Sequence, residues 1–170
     1  MRKLILMRHA KAEAKAASGE DFDRALTERG YRDAEIIGRV LAEAGLAPDL
    51  ALVSAAERTR QTWDGVSQSF PGVQARFDKK LYNAASGTIR EAVERAADEA
   101  DVILLIGHNP GVPVAMLELM LEGAEPASVI EKARGSFPTA SAVVFEFDGA
   151  MRPRFWNLYL AGDHGGGAGE

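Results

Sequence analysis

The amino-acid sequence predicts an α/β protein, a three-layer α/β/α sandwich around a mixed, mostly parallel central sheet. Short continuous apolar runs recur at Leu4 to Met7, Ala51 to Val53 and Val102 to Ile106, the pattern of strands covered on both faces. Helical periods fill the gaps between these runs. After the last helix, Ala142 to Phe147 and Arg154 to Tyr159 flank Asp148-Gly149, which reads as a hairpin with a few extra residues.

Each helix follows from its spacing. Tyr31, Ala34, Ile37, Leu41 and Ala44 fall on one face, with Thr27 as the cap, Gly45 as the exit and Pro48 beyond. A second helix carries Thr59, Trp63, Val66 and Phe70 on one side and stops before Pro71. The third is opened by Ser86 and turns Ile89, Val93 and Ala97 inward. The fourth follows Pro110-Gly111 and is apolar nearly all round, which predicts a buried helix. Residues 1–160 are expected to form one domain, and the Gly-rich residues 161–170 a flexible tail.

Composition narrows the chemistry. The chain has 170 residues, enough for one domain with a substantial core, and no run approaches the ~20 apolar residues of a membrane span. Its N-terminal apolar run is too short for a signal peptide and is closed by Arg8 and His9, so a cytoplasmic location is expected. Zero cysteines exclude disulfides, thiolate nucleophiles and Cys-ligated zinc. A formal net charge of −5 disfavours nucleic acid as a partner, because such binding needs a basic face. There is no Gly-x-x-x-x-Gly-Lys-Ser/Thr loop and no Gly-x-Ser-x-Gly elbow.

The polar residues that interrupt the pattern cluster where strands end. Arg8 and His9 follow the first strand, Ser54-Ala-Ala-Glu-Arg58 the second, and Gly107-His108-Asn109-Pro110 the third. Ligands of open α/β sheets bind at the carboxyl ends of the strands, so these exits are expected to converge on one crevice. Two arginines and two histidines there imply an anion, and the planar guanidinium fork suits phosphate oxygens. Surrounding cations disfavour imidazolium, and a neutral imidazole is a nucleophile. Taken singly, Arg8-His9 also fits a solvated strand end, and Arg58 a helix-surface arginine paired with Glu57 or Asp64.

The motifs carry a resemblance. "LMRHAKA" resembles the Arg-His-Gly signature of the histidine phosphatase superfamily, with Ala10 in place of glycine. "SAAERTRQT" is similar to its second-arginine motif and "LLIGHNPG" to its distal-histidine motif in the SixA-like branch of phosphohistidine phosphatases. "DRALTERG" and "FPTASAVVFEF" also resemble that branch, so the similarity spans Met1 to about Leu160. The resemblance implies a phosphoglycerate mutase-like fold. It also implies that His9 is the nucleophile that becomes phosphorylated and that Arg8, Arg58 and His108 hold the phosphoryl oxygens, with no metal or other cofactor.

One departure bears on the substrate. Larger members of the superfamily supply a carboxylate for the leaving group in a segment that would align near Leu81-Tyr-Asn-Ala84, and this chain has no Asp or Glu there. A phosphoramidate needs that proton less than an ester does, which favours phosphohistidine in a partner protein. Glu13, Asp21, Glu57 and Asp78 remain candidates to be brought in by the fold. The rivals are a phosphatase of a small phosphate ester or anhydride and a non-catalytic phosphate- or phosphohistidine-binding module. Short connections between Met7 and Thr27 and between Phe77 and Ser86 predict a shallow pocket.

Overall fold

The computed structural model describes residues 1–167. Six strands form one sheet: β1 (Lys3–Arg8), β2 (Leu50–Ser54), β3 (Gln74–Asp78), β4 (Val102–Gly107), β5 (Ala142–Phe147) and β6 (Pro153–Tyr159). Their order is β3-β2-β4-β1-β5-β6. The pairings of β1 with β4, β4 with β2 and β2 with β3 are parallel, and β5 runs antiparallel to both its neighbours. Five helices cover the sheet: α1 (Glu28–Glu43), α2 (Glu57–Ser67), α3 (Ser86–Ala96), α4 (Gly111–Glu122) and α5 (Ala127–Arg134).

The two-residue period of the strands divides the core. Ile5, Met7, Leu104 and Ile106 face one layer, where they meet Ile37 and Leu41 of α1 and Trp63 and Val66 of α2. Leu4, Leu6, Ile103 and Leu105 face the other, against Ile89 and Val93 of α3 and Val112, Met116 and Leu119 of α4. Each fully buried Leu or Ile contributes about 1.5–3 kcal/mol. This is the expected three-layer sandwich. The expected helix cap is present, with the Thr27 hydroxyl accepting the Gly30 N–H at 3.0 Å.

Several details differ from the sequence reading. Ala44 is exposed because α1 ends at Glu43 and the chain reverses through Gly45 at φ +73°. Helix α2 ends at Ser67, and Phe70 is buried from the turn that follows. Ser86 is the first residue of α3 itself, with Ala85 as cap, and its hydroxyl bonds Glu118 at 2.8 Å. Ala97, expected inward, is half-buried. Strand β3 and helix α5 were not expected: β3 is a polar edge strand and α5 is short and partly exposed, so neither shows a strong apolar period. The segment expected to be a flexible tail begins with a 3₁₀ turn, Ala161–His164, and the Gly167 N–H bonds Asp33 Oδ1 at 2.9 Å. Residues 168–170 of that segment lie outside the described residues.

Candidate active site

The parallel strands deliver their carboxyl ends side by side, and with them the residues singled out from sequence. Arg8 is paired in register with Gly107, which places His9 beside His108. The rings of His9 and His108 lie 5.3 Å apart between centroids. Arg58 enters on the first turn of α2, directly after β2. His9, Arg58 and His108 are buried, at 8%, 4% and 2% exposure.

The backbone around the first strand exit is pinned from three sides. His9 N–H bonds Gly107 O at 3.0 Å, Arg8 N–H bonds Ser141 O at 3.0 Å, and His9 O accepts Ala140 N–H at 3.0 Å. Arg8 also donates from its side chain to Phe137 O at 3.3 Å. The loop before β5, part of the "FPTASAVVFEF" stretch, therefore holds the strand exit. Ala10 is fully buried, and its N–H bonds Thr62 Oγ1 at 3.0 Å.

One hydrogen bond sets the state of His9. Its Nδ1 lies 2.7 Å from Ala10 O, and a carbonyl can only accept, so Nδ1 carries the proton and the lone pair is on Nε2. Burial pushes the His9 pKa down to about 4, aided by the charges of Arg58, Arg8 and Arg24 and opposed by the bond to Ala10. The imidazole is neutral at physiological pH. His108 has Nε2 2.7 Å from Ser54 Oγ, while its buried Nδ1 has no hydrogen-bond partner among the described residues. Burial, His9 and Arg58 push His108 down to about 3.

Arg58 does not pair with Glu57 or Asp64. Its NH1 donates to Asp21 O at 2.9 Å and its NH2 to Asp21 Oδ2 at 3.1 Å. Asp21 sits on a 3₁₀ turn, Asp21–Asp23, in the connection between β1 and α1. Arg24 NH1 donates to Asp21 Oδ1 at 2.8 Å, and Tyr82 OH donates to Asp21 Oδ2. Tyr82 stands edge-on to His108 at 5.5 Å and under Arg58 at 5.8 Å, with Phe22 edge-on to it at 5.0 Å. The two short connections thus supply Asp21 and Tyr82, which meet as a wall beside Arg58 and His108.

Of the carboxylates left open by the sequence, the fold brings Asp21 onto Arg58. Glu57 accepts from Gln61 at 2.9 Å, Asp78 caps the turn at Lys80, and Glu13 is exposed. Ser54 and Thr62 were not singled out, although both support the cluster. Thr62 lies four residues after Arg58, the same helix face, which is the signal that could have found it. Among the described residues no group of three His, Asp or Glu is arranged to hold a metal ion. Among the same residues no helix is long and apolar enough to cross a membrane.

A mixed sheet with two buried histidines and the buried Arg58 gathered at its carboxyl edge has the phosphoglycerate mutase-like fold, and its similarity to known proteins makes it a histidine-nucleophile phosphatase. A model of the histidine phosphatase superfamily (branch 1) matches residues 4–102, and the chain belongs to that superfamily. An uncharacterized protein of Mycobacterium tuberculosis is 35% identical over 143 residues, which cover 84% of this chain and 88% of that protein. A candidate phosphohistidine phosphatase SixA from Agrobacterium tumefaciens superposes with a TM-score of 0.82 at 31% identity, covering 94% of this chain and 97% of the other. A second SixA candidate, from Nakamurella multipartitia, gives 0.82 at 29% identity over 94% and 95%. The chain is SixA-like within its superfamily.

Proposed function

We propose that this chain is a metal-independent phosphohistidine phosphatase acting on a phosphorylated protein, with His9 as nucleophile and Arg8, Arg58 and His108 holding the phosphoryl oxygens. His9 Nε2 attacks phosphorus in line, the leaving nitrogen takes the electron pair of the P–N bond, and a phosphohistidine forms on the enzyme. Water then attacks: its oxygen goes to phosphorus, the electron pair of the P–N bond returns to His9 Nε2, and both water protons leave with the product as dihydrogen phosphate, which restores the neutral imidazole. The transition state spreads charge over three equatorial oxygens, so positioned N–H donors supply most of the catalysis. Arg58 keeps Nε and one hydrogen on each terminal nitrogen for this task, since Asp21 uses only the other two.

The observation that carries the choice of substrate is the state of Asp21. An ester needs a proton donor for its alkoxide, and Asp21 is the carboxylate that the fold brings to the cluster. Hydrogen bonds from Tyr82 and Arg24, with the charge of Arg58, hold its carboxyl well below the usual carboxylate range. It has no proton to give near neutral pH. A phosphorylated imidazole leaves without one from the enzyme.

The test is phosphate release, with EDTA present, from a histidine-phosphorylated phosphotransfer protein and from an alkyl phosphate ester such as phosphoserine, whose alkoxide needs a proton. The expected result is EDTA-resistant turnover that favours the phosphohistidine and falls at least ~10³-fold in His9→Ala. Preference for the ester, or full activity in His9→Ala, would overturn the reading.

A further inference from the structure

The wall that Asp21 and Tyr82 build has a chemical use, which rests on the phosphohistidine reading above. His9 lies on a closed floor, with its backbone bonded to β4 and to the loop before β5, whereas the Asp21 side chain is 45% exposed at the mouth. In-line attack from the floor directs the leaving group away from His9, toward that mouth. The groups there are the Asp21 carboxylate and the Tyr82 ring, which contacts both Arg58 and His108.

The bonding of Asp21 leaves one position open. Oδ2 receives Arg58 and Tyr82, and Oδ1 receives Arg24. A carboxylate accepts about four hydrogen bonds, so Oδ1 retains a lone pair. The same donors that fix the carboxylate also fix its charge.

We propose that Asp21 receives the N–H of the departing imidazole and so selects phosphoramidates whose leaving group carries its own proton. A phosphorylated imidazole protonated on its second ring nitrogen departs as a neutral ring. The electron pair of the P–N bond returns to the nitrogen that bore phosphorus, and the proton stays on the other nitrogen, hydrogen-bonded to Asp21 Oδ1. Without that carboxylate, Arg58 and Arg24 would oppose a protonated ring at the mouth. The carboxylate thus replaces the general acid of an ester phosphatase with an acceptor, and the substrate supplies the proton.

Asp21→Asn tests this by comparing two leaving groups. Phosphohistidine departs through an N–H, whereas p-nitrophenolate needs no proton and has no N–H to offer. The ratio of kcat/KM for phosphohistidine over p-nitrophenyl phosphate is expected to fall at least ~10-fold in the variant, the size of a charge-assisted hydrogen bond lost at the transition state. Asp21 also touches Arg58, and a displaced Arg58 lowers both substrates alike, so the ratio isolates the leaving-group contact. An equal loss on both substrates, or an unchanged ratio, overturns the role given to Asp21 while phosphohistidine turnover by the wild type still stands. Wild-type turnover of p-nitrophenyl phosphate alone would instead overturn the phosphohistidine reading, and this assignment with it.

Discussion

Thr62 Oγ1 accepts the Ala10 N–H at 3.0 Å, and the same hydroxyl donates to Arg58 O at 2.7 Å. One buried side chain therefore ties the residue after His9 to the helix that carries Arg58. Ala10 O is also the group that fixes the His9 proton on Nδ1. Thr62→Val keeps the shape but leaves a buried N–H unpaired, and is expected to cost about 1–3 kcal/mol in thermal or denaturant unfolding. Turnover should fall with it, through kcat more than KM, and Thr62→Ser should restore most of both. Equal activity in the valine and serine variants would remove Thr62 from the positioning of His9.

The depressed histidines make a two-part pH prediction. His9 and His108 titrate near 4 and 3 in the folded protein, against about 6.5 for a free imidazole. Between pH 6.5 and 4 the unfolded chain binds protons that the native protein does not, so native stability is fullest above pH 6.5 and declines as pH falls. His9 alone accounts for about 3 kcal/mol of that decline. The chain has three histidines, so imidazole NMR can follow each one directly. Two of the three are expected to stay neutral down to pH 5; a midpoint near 6.5 for either His9 or His108 would contradict the buried, cation-flanked geometry.

Sequence legibility tracked burial. The inner strands β1, β2 and β4 are apolar on both faces, and the polar residues at their exits make Arg8, His9, Arg58 and His108 legible in the sequence. Strand β3 was not legible because Gln74 to Asp78 lies at an exposed edge, where hydrogen bonds to β2 and not apolar burial make the strand. Asp21 appeared only as one of several loose carboxylates. Its place depends on a 3₁₀ turn and on a bond to Tyr82 across 61 residues, a relationship no local pattern encodes. Ser54 was visible in its motif, but its bond to His108 54 residues away was not.

Arg58→Lys separates geometry from charge. The guanidinium reaches Asp21 O and Oδ2 together and still keeps a buried Nε without a partner among the described residues, and an ammonium cannot span those positions. The lysine variant should keep the fold yet lose about 10²-fold or more in kcat/KM on every phosphorylated substrate, the usual loss for a misplaced transition-state donor. A loss below ~3-fold, measured with p-nitrophenyl phosphate, would mean that a point charge suffices at this position.

Two glycines give matched probes of how α4 carries His108. A Cβ on Gly111 would lie 2.0 Å from Ala84 O and 3.0 Å from Ile89 Cδ1, so α4 and the segment after Tyr82 can approach this closely only through glycine. Gly111→Ala must force them apart, at a cost of about 1–3 kcal/mol. The displacement acts between His108 and Tyr82, whose rings are 5.5 Å apart, so kcat should fall with stability. Gly87, in the first turn of α3, has nothing within 4 Å of a built Cβ. Gly87→Ala should therefore stabilise by about 0.5–1 kcal/mol and leave turnover within ~2-fold. Thermal unfolding and kcat measured on the pair decide the matter: if both alanines behave alike, the close approach at Gly111 does not set the position of His108.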